Sequence, residues 1–394
     1  MSELASYAGR LADGTAVTLA VRDGRIEART PLADCADLPW LLPPLVDVQQ
    51  NGALGINFHA LGEPGNEEAI YRIAHFLRCH GVGRCWLTIP SAPLLDVHRA
   101  YRTIGSVLDR DADLAALFCG IFHEGIFISP REGWRGAHPP HCILPPDYEM
   151  IRRFDEACGG RIRLVNAAPE EPGGLEFVSR AVADGKRVTL GHCCPDAATI
   201  GEAIARGARW VTHFGNGAAT MIHRFRNPFW SYLERAELGC MVIADGFHLP
   251  PEVIRTALLC KGRAGCLPVS DASGYSGCPP GHYQHANYHD FVIEPSGLLH
   301  LAGSETLMGA WFQLDRGVEF FVQQLGYSLP EAWLQCSAVV AQAMGIGLPA
   351  LAVGEEASFV VARWAGDGLQ LVQSVHRGAP LLRRPLGTRD LVTP

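Results

Sequence analysis

Two histidines placed 21 residues apart are the first residues in this chain whose type and spacing could support chemistry. His192 and His213 each follow a short apolar run, and the segment between them has a helical pattern. Asp196 is suited to cap the start of that helix, and Gly207 stands where it should end. The pattern predicts a strand–helix–strand unit that delivers an imidazole at the end of each strand. The pair alone is equally compatible with a structural role, so the rest of the chain must decide.

Further polar residues end other apolar runs of the chain. The pairs Gln49 with Asn51 and His123 with Glu124 follow two earlier runs, and Asp271 follows the last one. In a parallel α/β barrel the carboxyl ends of the strands form the active site. Buried imidazole and carboxylate groups must be paired or bound to something. We therefore predict an active site at one end of a barrel.

Eight apolar runs that alternate with helical patterns supply the count for such a barrel. This fold class is α/β, a (β/α)8 TIM-like barrel. The predicted strands are Leu45–Gln49, Arg84–Thr88, Leu117–Phe122, Arg161–Asn166, Arg187–His192, Trp210–His213, Cys240–Ala244 and Cys266–Asp271. The Pro- and Gly-rich segment Cys278–Tyr283 follows the last strand, where functional loops of a barrel are expected.

Both ends of the chain have the alternating pattern of β-hairpins. Residues 16–28 alternate around a turn at Asp23–Gly24, and residues 357–375 alternate around Gly366–Asp367–Gly368. We predict that the two ends pair into one small β-sandwich domain.

The expected domain organisation inserts the barrel between these two ends. Residues 1–44 and 346–394 would form the small β-domain, and residues 45–345 the catalytic barrel.

Composition and charge exclude several classes of partner. The net charge is −8 with 33 Lys and Arg and no basic cluster, which argues against nucleic acid and anionic membranes. The N-terminus lacks a secretory pattern, and the most apolar window, Ser337–Gly354, is interrupted by Gly and Pro. Thirteen cysteines without CxxC spacing indicate free thiols in a reducing compartment. We expect a cytoplasmic protein, and we expect Cys193 and Cys194 to pack rather than to bind metal.

An ordered series of motifs carries a family resemblance over most of the barrel, roughly Leu45 to Gly345. The series is DVQQNG (47–52), HEGIFISPREGWRGAHPP (123–140), GH (191–192), THFGN (212–216), ADGFH (244–248), SDA (270–272), GCPPGHY (277–283) and LAGSETLM (301–308). It resembles the N-acetylglucosamine-6-phosphate deacetylases of the amidohydrolase superfamily. Many amidohydrolases have His-x-His on the first strand, whereas this family has Gln-x-Asn, as Gln49 and Asn51 do here.

The resemblance implies a metal centre and a catalytic aspartate. Glu124, His192 and His213 match the family's metal ligands, and Asp271 matches its catalytic acid–base residue. We expect one divalent metal ion, most simply Zn²⁺, although two imidazoles and one carboxylate also accept Fe²⁺, Co²⁺ or Mn²⁺.

The resemblance also implies substrate-binding positions and a homodimer. The matching positions are His138, Asn216, Gly217, Arg224, His248 and Met308. The family's phosphate-binding arginine comes from the neighbouring subunit. Here it would be Arg224, with Arg226 as the rival.

Several residues keep alternative interpretations at the level of sequence. His138, His223 and His248 are also compatible with exposed loop positions. Gln49 and Asn51 could either hydrogen-bond loops or lie beside the metal. We expect Asp245 to cap the loop after the seventh strand. His123 should point to the opposite face of its strand from Glu124, and so should not be a ligand.

The expected function is hydrolysis of the acetamide of an N-acetylated amino sugar phosphorylated at its 6-position. The family pattern is altered at residues 122–126 and 214–218, and extra residues lie around Trp134. These changes leave two alternatives open. One is an amidohydrolase acting on another small N-acyl compound, and the other is a catalytically retired protein that binds a sugar phosphate.

Overall fold

Eight parallel strands form the centre of the molecule in the computed structural model, which describes residues 4–33, 37–284, 290–366 and 368–381. Consecutive strands pair in order from the first to the eighth. Their bounds are Leu45–Gln50, Val82–Ile89, Phe118–His123, Ile162–Ala167, Arg187–Leu190, Trp210–Val211, Gly239–Ile243 and Cys266–Val269. Each lies within two residues of its predicted position, and the prediction of a (β/α)8 barrel is confirmed.

The first and eighth strands close the barrel through hydrogen bonds at the edge that carries the polar residues. The Asp271 amide donates to the Gln49 carbonyl at 2.9 Å, and the Asn51 amide donates to the Ala272 carbonyl at 2.9 Å. The buried Asp47 carboxylate also accepts the Ser270 amide and hydroxyl across the same seam. The seam therefore fixes Asp271 against the residues that follow the first strand.

Helices surround the strands and cover their outer face. Their bounds are Ala69–Cys79, Leu94–Arg110, Ala112–Leu117, Tyr148–Ala157, Gly174–Ala183, Ala197–Ala205, Pro228–Glu234, Pro251–Lys261, Leu314–Leu325, Leu329–Gln335 and Ala338–Met344. The predicted cap is present, since Asp196 accepts the Thr199 amide at 2.8 Å. Gly207 follows the end of that helix with a left-handed φ of 106°, as its position in the sequence predicts.

The apolar interior of the barrel lies below the polar strand ends. Phe122 and Val269 belong to one buried cluster together with residues of the helix Ala338–Met344. Alternate residues of a strand share a face, so Glu124 and Asp271 follow Phe122 and Val269 on the inner side. The functional side chains thus rest on a packed apolar floor.

Both ends of the described chain contribute to one seven-stranded sheet. Its strands are Ala5–Arg10, Ala16–Arg22, Arg25–Pro31, Trp40–Leu42, Phe359–Ala365, Gly368–His376 and Ala379–Leu381. Trp40–Leu42 joins the two ends, because it pairs with the first of these strands and with Phe359–Ala365. The predicted union of the two ends is confirmed. The exact domain boundaries after residues 44 and 345 stay a prediction.

Both predicted hairpins are present. Arg22 pairs with Arg25 across the turn at Asp23–Gly24, and Ala365 pairs with Gly368 in the second hairpin. Asp367, which belongs to the second predicted turn, lies outside the described residues.

Two small sheets lie after the first and eighth barrel strands. One is the hairpin of Gly52–Ala53 with Ile56–Asn57. The other joins Gly281–Tyr283, Phe291–Ile293 and Leu299–Leu301 in antiparallel order. Over the described residues, no helix is both long and apolar enough to cross a membrane.

Candidate metal centre and substrate cavity

Three of the predicted site residues adopt a left-handed backbone just after their strands. The φ angles are 50° at His192, 29° at His213 and 47° at Asp271. This region is costly for residues other than glycine, and such conformations concentrate at functional sites. Each strand therefore ends in a sharp turn that redirects a chemically active side chain toward the barrel axis.

Glu124, His192 and His213 converge as a buried cluster. Nε2 of His213 lies 3.0 Å from Oε1 of Glu124 and 2.9 Å from Nε2 of His192. The candidate ligand atoms of the three residues all lie within 4.8 Å of one another. Nδ1 of His192 lies 3.0 Å from the Trp134 carbonyl, so it carries the proton and leaves Nε2 as the electron-pair donor. Two imidazoles and one carboxylate brought this close fit a divalent cation.

The Glu124 carboxyl is ionised, as a metal ligand must be. Burial raises its pKa, but the hydrogen bonds with His192 and His213 outweigh burial and hold the pKa well below its usual range. Because metal ligands bind in their deprotonated form, this environment prepares Glu124 for that role.

Asp271 is fixed beside the cluster by two side-chain amides. Its Oδ1 accepts Nε2 of Gln49 at 3.1 Å and Nδ2 of Asn51 at 2.8 Å. Nε2 of Gln49 also donates to Oε1 of Glu124 at 2.7 Å. The Gln49 side chain therefore connects the candidate metal ligand Glu124 to the candidate catalytic residue Asp271. Of the two interpretations left open by the sequence, the position of Gln49 and Asn51 beside the metal ligands is the one observed.

The environment of Asp271 disfavours its negative charge when no cation is nearby. Burial raises the pKa of Asp271, and the negative charge of Glu124 raises it further, while the hydrogen bond from Asn51 lowers it. A cation bound at Glu124 would offset the repulsion, which couples the basicity of Asp271 to metal binding.

A cavity of about 710 Å³ opens onto this cluster. All four polar residues of the centre line it, and so do five of the predicted substrate-binding residues. The latter are His138, Asn216, Gly217, His248 and Met308. The volume suits a phosphorylated sugar or another small ligand of similar size.

His138 presents a hydrogen-bond donor to the cavity. Its ring lies edge-on to His192 with centroids 4.4 Å apart, and its Nδ1 accepts the Ser91 amide at 3.2 Å. Burial lowers the pKa of His138 to about 3, and the neighbouring His192 adds to this effect. The neutral ring therefore carries its proton on Nε2.

Asn216 and His248 provide further polar atoms along one wall. Nδ2 of Asn216 is buried and has no hydrogen-bond partner among the described residues. Nδ1 of His248 donates to Oδ2 of Asp245 at 2.8 Å, so Nε2 is left for a ligand. Asp245 also accepts the backbone amides of Phe247 and His248, which confirms its predicted role as a loop cap.

Arg224 and Arg226 do not line the cavity of their own chain. Both are exposed, and the Arg224 guanidinium lies over the Phe225 ring at 5.5 Å. His223 is exposed as well, and its Nδ1 accepts the backbone amides of Phe225 and Arg226. The predicted phosphate arginine is thus outside the site that this chain forms by itself.

Other predicted positions lie away from the cavity. Nδ1 of His123 bonds the Tyr101 hydroxyl at 2.7 Å on the opposite face of the strand from Glu124, as predicted. Cys193 packs against the Tyr232 hydroxyl and is not a ligand. The segment Cys278–Tyr283 follows the eighth strand as predicted and leads into a small sheet, and its residues are not among those that line the cavity.

The structure adds residues that the sequence did not single out. Ser91, Arg135 and Tyr275 line the cavity. Ser91 follows the second strand, so its position near the end of a strand could have identified it as a site residue from the sequence. Arg135 lies within the motif of residues 123–140, but a charged residue in a loop does not indicate a role until the position of the loop is known.

Comparison with known proteins finds deacetylases of N-acetylated amino-sugar phosphates among the relatives of this chain. The bovine (Bos taurus) N-acetylglucosamine-6-phosphate deacetylase is 30% identical over 334 residues, which cover 82% of this chain and 79% of the relative. The N-acetylgalactosamine-6-phosphate deacetylase of Escherichia coli O157:H7 is 25% identical over 351 residues, covering 87% and 89%. No family model matches the chain.

A solved structure shares the fold over nearly the whole length. It is a mutant N-acetyl-D-glucosamine-6-phosphate deacetylase from Mycobacterium smegmatis in complex with N-acetyl-D-glucosamine-6-phosphate. The TM-score is 0.81 at 23% identity, and the match covers 97% of this chain and 100% of that one. The barrel and the sheet formed by the chain ends therefore occur together in a known enzyme.

Proposed function

This chain belongs to the N-acetylglucosamine-6-phosphate deacetylase family, and on that premise we propose that it hydrolyses the acetamide of N-acetylglucosamine 6-phosphate to the amine and acetate. One observation carries the proposal. The buried Glu124, His192 and His213 lie beside Asp271 at the base of a cavity of about 710 Å³, and Gln49 bridges Glu124 to Asp271.

The metal is one divalent ion held by Glu124, His192 and His213. Zn²⁺ suits this set of ligands, and Fe²⁺, Co²⁺ or Mn²⁺ could replace it according to supply. When bound, the ion acidifies water and polarises a carbonyl group. Trp134 supports this arrangement because its carbonyl fixes the tautomer of His192.

Asp271 moves the proton in this mechanism. Its Oδ1 is held by Gln49 and Asn51, while its Oδ2 accepts no hydrogen bond from the described residues and can take a proton from water. The same carboxyl then returns the proton to the departing amine, as one group must when it acts first as base and then as acid. Nε2–H of His138 is available as a donor to an oxygen of the substrate.

The sugar phosphate lies along the wall formed by Asn216, Gly217 and His248, with Met308 against the sugar. The unpartnered Nδ2 of Asn216 supports this placement, since a ligand oxygen would satisfy it. Met308 packs beside a small apolar cluster that includes Phe291 and Leu299. An apolar contact of this kind suits the hydrophobic face of a pyranose ring.

A homodimer would complete the phosphate site. Arg224 is exposed outside its own cavity, and the surrounding segment exposes Met221, Phe225 and Trp230. An apolar patch on an otherwise polar surface marks an interaction site. We propose that two copies meet through this patch and that Arg224, rather than Arg226, reaches the partner's cavity. No nucleic-acid or membrane partner is needed.

The cytoplasm is the proposed location. The cysteines that the structure describes are all free, which suits a reducing compartment.

Two alternatives remain distinct from this function. The similarity to an N-acetylgalactosamine-6-phosphate deacetylase favours the first of them, a related amidohydrolase that acts on a different N-acyl compound. The second is a retired binding protein, against which the retention of the metal cluster and Asp271 argues.

The decisive experiment measures acetate release and metal content together. The protein is dialysed against zinc, its metal is quantified, and N-acetylglucosamine 6-phosphate, N-acetylgalactosamine 6-phosphate and N-acetylglucosamine are compared as substrates. We expect about one ion per chain and the highest kcat/KM on the first sugar. A protein that binds no metal refutes the catalytic proposal. Preference for the second sugar supports the first alternative.

A further inference from the structure

The segment from Gly133 to His138 contributes to one wall of the cavity and is held in place by contacts with His192 and with the loop after His213. The Trp134 carbonyl binds His192, and the Trp134 ring stacks on Phe229 with centroids 6.3 Å apart. A Cβ added at Gly133 would meet the Ala219 Cα at 2.7 Å. The segment is therefore in van der Waals contact with the loop that follows His213.

Arg135 lies in the middle of this fixed segment. It lines the cavity and is partly buried, yet its guanidinium forms no hydrogen bond or ion pair with any residue that the structure describes. Among the described lining residues it is the only Arg or Lys. The guanidinium therefore has all its N–H groups available to an anionic ligand in the cavity.

Arg135, Asn216 and His248 belong to one continuous stretch of the cavity wall. A Cβ added at Gly136 would lie 3.9 Å from the Gly217 Cα, which places the Arg135 segment beside Asn216 and Gly217. A Cβ added at Gly215 would lie 2.7 Å from Leu249, which places His248 beside the same loop. Two donors without a described partner, Nδ2 of Asn216 and the Arg135 guanidinium, thus lie where the proposed sugar phosphate ends.

The two exposed carboxylates at the cavity do not neutralise the positive charge of Arg135. Glu132 and Glu305 line the cavity, but both are exposed and neither pairs with Arg135. Charges in contact with solvent are screened by salt. The guanidinium remains available to a ligand.

We propose that Arg135 is a specificity-determining residue that binds the phosphate of the substrate within its own chain. This inference rests on the proposed function. It means that the phosphate of the substrate receives hydrogen bonds from the same chain that provides Asp271. The planar fork of an arginine can donate two parallel hydrogen bonds to phosphate oxygens, which a lysine at the same place cannot.

The test compares three variants on phosphorylated and unphosphorylated N-acetylglucosamine. Losing one charged hydrogen bond should lower kcat/KM of Arg135→Ala on the phosphorylated sugar by roughly 10- to 150-fold, mainly through KM. The loss on the unphosphorylated sugar should be at least about tenfold smaller, and Arg135→Lys should fall between the wild type and Arg135→Ala. Arg131→Ala is the matched control, because Arg131 is exposed just before this segment and does not line the cavity. Equal losses of Arg135→Ala on both sugars, or no loss, would overturn the proposal.

Subunit mixing distinguishes a donor in the same chain from a donor in the partner. Arg135→Ala is mixed with Asp271→Asn, so that the only competent Asp271 and the only intact Arg135 lie on different chains. A donor that acts in cis gives no recovery of activity on the phosphorylated sugar. Recovery would overturn the proposal.

A binding measurement keeps the inference separate from the proposed reaction. If the wild type releases acetate from none of the sugars, the proposed function fails, and titration of the metal-loaded protein with inorganic phosphate then tests Arg135 alone. Phosphate affinity should fall at least about tenfold in Arg135→Ala and stay unchanged in Arg131→Ala. Equal affinity of the wild type and Arg135→Ala for phosphate would refute the inference independently of catalysis.

Discussion

The residues at the end of the first strand that contact Asp271 carry neutral amides rather than imidazoles. Gln49 and Asn51 both donate to its Oδ1, and Gln49 donates to Glu124 as well. An amide NH₂ can orient two carboxylates at once without competing for the metal. This arrangement leaves Oδ2 of Asp271 as the atom that handles the proton.

The substitution Asp271→Asn tests this assignment. An Asn carbonyl oxygen can still accept from Gln49 and Asn51, so the packing should be kept while the proton acceptor is lost. We expect kcat to fall by at least ~10²-fold with an unchanged metal content. Steady-state kinetics and elemental analysis of the same preparation provide the measurement. Turnover close to that of the wild type would show that another group moves the proton.

At the scale of the elements, the ends of the strands and the loops after them build the site. The turn after the fifth strand gives His192 a left-handed backbone, and Gly217 packs directly on its ring. A Cβ at Gly217 would lie 2.6 Å from Nδ1 of His192, and the φ of Gly217 is 58°. The loop after His213 can approach this closely only because residue 217 has no side chain.

Gly217→Ala should therefore damage the metal centre as well as the fold. Gly262→Ala is the matched control, because Gly262 has a similar φ of 67° and no atom within 4 Å of an added Cβ. Both variants should lose about 1 kcal/mol of stability from the strained backbone. We expect only Gly217→Ala to lose metal affinity, by roughly 10- to 100-fold as for other perturbations of a ligand's support. Equal metal affinity in the two variants would mean that the loop moves without disturbing His192.

The strand ends were predictable from the sequence, whereas the loops between them were not. Apolar runs that end in His192, His213 and Asp271 specify both the strands and the edge where they meet, because burial forces each run into the barrel. Asp196 likewise marked its helix through a local hydrogen bond. Arg135 could not be placed, because its position depends on Trp134 and Gly136 packing against loops that are distant in sequence. The pairing of Gly281–Tyr283 was not predictable for the same reason, since its partner strand comes from later in the chain.

At the scale of the whole molecule, Asp113 connects the barrel to the sheet formed by the chain ends. It accepts Nε2 of His376 at 2.7 Å and lies 2.8 Å from Nη2 of Arg78. Arg78 lies on a barrel helix and His376 on a strand of the sheet. Burial raises the pKa of Asp113, but its bonds with His376 and Arg78 outweigh burial and hold the pKa below its usual range.

Asp113→Asn should destabilise the protein in a pH-dependent way. Because the folded-state pKa is depressed, the stabilisation is complete above the unfolded pKa of about 3.9 and is lost as pH falls through the folded pKa. The side chain is about a third exposed, so we expect a loss of only about 1 kcal/mol at pH 7. Urea unfolding at several pH values measures it, and the difference from the wild type should shrink below pH 4. A constant difference would point to lost packing instead of lost charge.

The exposed segment around Phe225 is expected to determine how many copies of the chain form one working unit. Phe225 is 73% exposed and lies under the guanidinium of Arg224, so burial of this ring against a second copy would carry Arg224 toward that copy's cavity.

Phe225→Asp should give a monomer in sedimentation velocity, because a charge cannot be buried in an apolar interface without a partner. Leu259→Asp, at an apolar residue that is 81% exposed on the helix Pro251–Lys261, should leave the assembly unchanged. The monomer should also lose part of its preference for the phosphorylated sugar, since Arg224 no longer reaches a neighbouring cavity. A monomer with full preference would mean that Arg135 of the same chain binds the phosphate without help, and a wild type that is already monomeric would rule out any contribution from a second copy.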